Sequence, residues 1–128
     1  MNAAVPLEQA VVYRMKLAKA LERAGSLYVL EDILERLADG RMQSFTCNNS
    51  WVVTQISVYP RARVIDIIAL VGDLDDGENL HEQVLDFART MEVDAIIAQG
   101  RVGWARLAKS HGWKTVSQNT VFRKEVSP

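Results

Sequence analysis

The sequence predicts a mixed α/β fold in the order α-α-β-β-β-α-β-α-β, as one domain across its 128 residues. Three observations carry that expectation. Two stretches near the N-terminus repeat apolar residues at helical spacing. Three strand-like runs follow, the second of them rich in β-branched residues, joined by connections short enough to imply antiparallel pairing. An apolar run, a helical pattern of about four turns and a second apolar run then make a βαβ crossover, which pairs its strands in parallel. Helices are therefore expected on both faces of the sheet.

Leu7 to Ala24 reads as the first helix. Leu7, Val11, Met15, Ala18 and Leu21 recur at spacings of three and four, Pro6 suits the start and Gly25 the stop. Its cations Arg14, Lys16, Lys19 and Arg23 fall away from that stripe and read as a solvated face, or as a contact if the protein docks on a larger assembly. Leu30 to Ala38 reads as the second helix, with Leu30, Ile33, Leu34 and Leu37 on one stripe. Glu31 and Asp32 lie in its first turn, where acids complement the dipole, and Gly40 ends it.

Met42 to Cys47 is a short strand, and Asn48-Asn49-Ser50 has turn chemistry. Trp51 to Tyr59 alternates as a second strand; Pro60-Arg61-Ala62 breaks it, and Arg63 to Val71 is the third. In the second strand Val52, Ile56 and Val58 are the expected core face, leaving Trp51 and Tyr59 as a pair that marks an interface or lies under a helix. The third strand is almost continuously apolar, which places it centrally, with both faces covered. Glu78 to Met91 is a helix with Leu80, Val84, Phe87, Ala88 and Met91 inward, and Val93 to Ala98 a further buried strand. Trp104 to His111 is a short helix with Gly112 just past its end; Lys114 to Glu125 reads as strand.

Composition narrows the function classes. Hydrophobic residues are 48% and charged residues 24%, with net charge −1, so no global basic footprint points to nucleic acid. No apolar run is long enough for a membrane span. Met1 to Pro6 lacks the features of a signal peptide, so a cytosolic setting is expected. The single Cys47 leaves no internal disulfide, and His81 and His111 have no ligand-spaced partners for a metal.

The loop Gly72-Asp73-Leu74-Asp75-Asp76-Gly77 is the most informative segment. Strand, tight loop and helix is an arrangement that seats phosphates on backbone N–H groups. This loop has three aspartates and no Lys or Arg. Each close like-charge approach to a pyrophosphate costs roughly a few kcal/mol at a protein surface. That offsets amide hydrogen bonds of roughly 1–3 kcal/mol each.

The element order resembles the GNAT N-acyltransferase superfamily. Val93-Asp94-Ala95-Ile96-Ile97 is similar to that family's fifth strand, and Trp104 to Trp113 resembles its last helix, which ends in Gly-aromatic. A narrower resemblance links Leu30-Glu31-Asp32-Ile33, Gly40-Arg41-Met42-Gln43, Tyr59-Pro60-Arg61 and Gly100-Arg101-Val102-Gly103-Trp104 to small GNAT-like proteins encoded by tailed bacteriophages. That resemblance implies a phage protein made in the bacterial cytoplasm, acting by protein–protein contacts as a virion or assembly component, with phage structural proteins as partners.

The resemblance also supplies an enzymatic alternative, transfer of an acetyl group from acetyl-CoA to an amine. The family's pyrophosphate loop resembles (Arg/Gln)-x-x-Gly-x-(Gly/Ala), and this loop departs from it. The family's Tyr acid falls on Lys109, and the Asn before its last helix on Arg101. If transfer is retained, Asp66 is the base candidate, with Asp94 behind it, and Asp75, Asp76, Gly77 and Glu78 would line the pyrophosphate. On these departures the expectation is a non-catalytic protein without a cofactor. Arg101, Trp104 and Arg106, with Lys109 and Lys114 nearby, are the interface candidates, against a plain solvated helix face. Cys47 is expected to be a half-buried strand residue with no base beside it.

Overall fold

The structure is a computed structural model that describes residues 14–23, 27–48, 50–99, 109–110, 112–114, 116 and 123–126. The chain divides into two compact units, Met1–Ala98 and Gln99–Pro128. In the first, α1 (Arg14–Arg23) and α2 (Leu30–Ala38) precede three strands, β1 (Gln43–Cys47), β2 (Ser50–Val58) and β3 (Arg63–Val71). A 3-10 turn, Leu74–Asp76, leads into α3 (Gly77–Thr90), and β4 (Ala95–Ile97) follows.

The strand order is β1-β2-β3-β4. The pairings β1–β2 and β2–β3 are antiparallel, and β3–β4 is parallel, as a hairpin pair followed by a crossover helix requires. Cys47 faces Ser50 across the first hairpin, and Asn48 takes the positive φ of 51° that this tight turn needs. The β2–β3 register slips between Val53 and Thr54, whose partners are Ala69 and Ile67, so β3 bulges at Ile68. β4 pairs only with Val64 to Asp66, and the rest of β3 runs on past it.

Each sheet face carries its own core. On one side Leu17 and Leu21 of α1 and Leu30 and Ile33 of α2 pack on Met42, Trp51, Val53, Ala69 and Val71. On the other, Leu80, Val84, Phe87 and Ala88 of α3 pack on Phe45, Val52 and Ile65. Each large aliphatic side chain so buried contributes about 1.5–3 kcal/mol of transfer free energy. Phe45 and Phe87 meet edge-to-face, ring centroids 5.5 Å apart. At the start of α2 the Asp32 carboxylate reaches back to the Val29 N–H at 3.0 Å, completing half of a capping box. Among the described residues no helix is long and apolar enough to cross a membrane.

The sequence reading needs correction in three places. Val58, assigned to the core face, is 78% exposed, and of the Trp51–Tyr59 pair only Trp51, 1% exposed beneath α1 and α2, lies under helices as one of its two expected placements had it. Both faces of β2 are covered near Trp51, and neither is at the hairpin tip. β4 is shorter than Val93 to Ala98, only Val93 and Ile96 of that span are half-buried, and β4 is the last strand of the sheet among the described residues. In the second unit Lys109 and Ser110 are helical and Gly112 has φ +86°, where a helix end was expected. Lys114, Val116 and 123–126 carry no strand, and the remainder of the expected terminal strand lies outside the described residues. There Arg123 pairs with Glu125 at 2.8 Å.

Candidate functional site

The loop between β3 and α3 is built around two constraints, Gly72 and Asp76. Gly72 has φ +119°, a region closed to most side chains. A Cβ built on it would collide with the Ser50 Oγ and Cα and lie 2.6 Å from its Cβ. This glycine lets β3 leave the sheet against the backbone of β2; its open side is filled by Ser50. Gly77, at the start of α3, has nothing within 4 Å of a built Cβ.

Asp76 is 7% exposed, and its carboxylate is turned inward onto the β1–β2 hairpin. Ser50 Oγ donates to Oδ2 at 2.5 Å, and Asn48 Nδ2 donates to Oδ1 at 2.8 Å. The Cys47 thiol lies 3.7 Å from Oδ1. Ser50 Oγ in turn accepts the Asp73 N–H at 2.8 Å, and the Asp76 N–H reaches the Asp73 carbonyl at 3.1 Å. The hairpin thereby holds both ends of the 3-10 turn. The Ser50 hydroxyl and the Asn48 amide hold the Asp76 carboxyl below the usual carboxylate range, against the opposing effect of burial. Cys47 moves the other way: burial, and then the neighbouring Asp76 charge, push its thiol up, so it stays protonated and unreactive at neutral pH.

Asp73, Asp75 and Glu78 are exposed on this loop. Asp76 stands at the helix N-cap yet makes no side-chain cap, because its oxygens are engaged with the hairpin. For an anion the loop offers the uncapped backbone amides of the first turn of α3, and against them these three exposed carboxylates. Residues 72–78 contain no cation. This donor set does not fit a pyrophosphate.

The other predicted residues are placed apart from one another. Asp66 is half-buried on β3, opposite Gln55 and beside Ile97 of β4. It lies on the α1/α2 side of the sheet, in alternation with Ile65 on the α3 side. Asp94 sits at the foot of β4, where its carboxylate accepts the Arg63 N–H at 2.9 Å, a strand-pairing role. Lys109 is exposed. Arg101, Trp104 and Arg106 lie outside the described residues. Among the described residues no group of three His, Cys, Asp or Glu side chains is placed to hold a metal ion. Sequence reasoning missed Asn48 and Ser50 as the partners of Asp76. Their turn chemistry was visible, but nothing in the sequence joins positions 48 and 50 to 76.

The architecture is that of the GNAT acetyltransferases: a mixed sheet with an antiparallel meander, a parallel βαβ step and helices on both faces. One solved structure of the same fold is a probable acetyltransferase, 13% identical with TM-score 0.71 over 97% of this chain and 96% of that one. A second is a ribosomal-protein-alanine N-acetyltransferase from Brucella melitensis biovar Abortus 2308, 15% identical with TM-score 0.66 over 94% and 96%. A third is an aminoglycoside acetyltransferase from an uncultured soil metagenomic sample, solved with sisomicin, 11% identical with TM-score 0.60 over 97% and 93%. At such identities the likeness is one of fold. No protein-family model matches the sequence. No curated protein matches it either.

Proposed function

We propose that this chain is a GNAT-fold protein that works through protein–protein contacts and does not transfer acetyl groups. The inward Asp76 carboxylate carries the reading. The loop at the family's cofactor position is anchored to the first hairpin by Ser50 and Asn48, and its exposed charged side chains, Asp73, Asp75 and Glu78, are all carboxylates. The resemblance to phage-encoded GNAT-like proteins supports a virion or assembly component made in the bacterial cytoplasm, with phage structural proteins as partners. Arg101, Trp104 and Arg106 are the proposed contact residues.

One observation favours the rival, an acetyl-CoA-dependent N-acetyltransferase. β3 bulges at Ile68 and outruns β4, so the two parallel strands pair only at one end. Calorimetry and thermal denaturation with acetyl-CoA separate the readings. A ligand at one hundred times its dissociation constant adds about 2.7 kcal/mol of stability. The proposal expects no binding heat and no shift at millimolar acetyl-CoA; a saturable shift would overturn it. The assembly role is checked by quantitative mass spectrometry of purified particles. A fixed copy number supports it, and consistent absence removes the virion assignment.

A further inference from the structure

β1 begins at Gln43, opposite Thr54, while β2 continues to Val58. The missing stretch of β1 leaves an opening of about 620 Å³ at the end of the sheet away from the acidic loop. It is lined by Arg36 of α2, Arg41 of the α2–β1 turn and Arg63 of β3, with Tyr28, Gln43 and Gln55 between them. Among the described residues no carboxylate lines it.

The three guanidinium groups are unequally satisfied. Arg41 is partly neutralised, with Nε 2.6 Å from the Asp39 carboxylate and Nη2 4.0 Å from Glu35. Arg36 lies 5.5 Å from the Tyr28 ring centroid and gives Nη1 to a backbone carbonyl, that of Asp32, at 3.3 Å. Arg63 has a buried Nε with no acceptor among the described residues. A buried donor with no acceptor among the described residues is suited to one that a bound oxyanion supplies. Among the described residues Arg36 and Arg63 form no salt bridge, Arg36 acting on the Asp39 carboxylate only at longer range, and planar guanidinium forks suit the oxygens of a doubly charged phosphate.

We propose that this opening is a binding site for a phosphate monoester, its oxygens held by Arg63 and Arg36. Arg41 stands at the rim. The volume exceeds that of a phosphate, and Tyr28, Ile56 and Met91 form the wall for the organic part. The site is independent of the acidic loop, which leaves the opposite end of β3, about 25 Å away along the strand.

The test is a titration with inorganic phosphate at constant ionic strength, observing the arginine Nε–H signals by nitrogen-15 NMR. The Arg63 signal, identified by its loss in Arg63→Lys or by through-bond assignment if that variant does not fold, is expected to shift saturably. Arg36→Gln is expected to weaken binding at least tenfold, and Asp73→Asn to leave it unchanged. Acetate, a singly charged oxyanion, is expected to leave the signal in place. A linear response, an equal response to chloride or acetate, or unaltered affinity in Arg36→Gln would overturn the proposal.

Discussion

Gly72→Ala tests the physical account of the loop. Two effects add. An alanine at φ +119° adopts a backbone conformation that L side chains avoid, worth about 1–3 kcal/mol. Its methyl also meets the backbone and side chain of Ser50, and overpacking of this kind costs about 1–3 kcal/mol. Relief of the overlap requires β2 and β3 to separate at Ser50, which loosens its bonds to Asp73 and Asp76. The expected loss is about 2–4 kcal/mol, since partial relaxation keeps the sum below its maximum. For a chain of this size that is a fall in Tm of roughly 6–20 °C. Gly77→Ala is the internal control: the same loop, open space around the new methyl and a helical position, so a gain of up to about 1 kcal/mol is expected. Urea unfolding followed by circular dichroism measures both. An unchanged midpoint for Gly72→Ala, or equal losses in the two variants, would refute the packing of Gly72 on Ser50.

Two further predictions concern Asp76. Its folded carboxyl is held below its ordinary value near 3.8, so the stability it contributes is present above that value and is lost as pH falls through the lower folded one. Asp39, held down by Arg41, acts in the same direction but is exposed and screened by salt. Acid unfolding at high salt is therefore expected to be steeper below about pH 4 in the wild type than in Asp76→Asn; identical profiles would remove Asp76 as the titrating anchor. Native Cys47 is expected to react slowly with iodoacetamide at pH 8, and faster in Asp76→Asn, where the raising charge is gone. A fast native reaction would contradict the placement of the thiol.

Much of the architecture was legible because apolar period and turn chemistry act locally. Leu30–Ala38 and Arg63–Val71 have the bounds their patterns suggested, and the inward set Leu80, Val84, Phe87 and Ala88 is the buried face of its helix. Val58 was misassigned, and of the two places open to Trp51 only the structure selects the one under helices, because alternation gives two faces without saying what covers each along the strand. The acidity of the loop at 72–78 was equally plain. Which way its carboxylates point was not, since Asp76 turns inward while Asp73 and Asp75 are exposed.

By itself the sequence determined an α/β order of elements, a meander followed by a parallel crossover, and a loop with no cation. Only the tertiary structure decided that this loop is anchored to the first hairpin through Ser50 and Asn48, and that Arg36, Arg41 and Arg63 share one opening. The reason is separation along the chain. Local propensity acts over a few residues, while these partners meet only after β1, β2 and β3 have paired and brought their ends together.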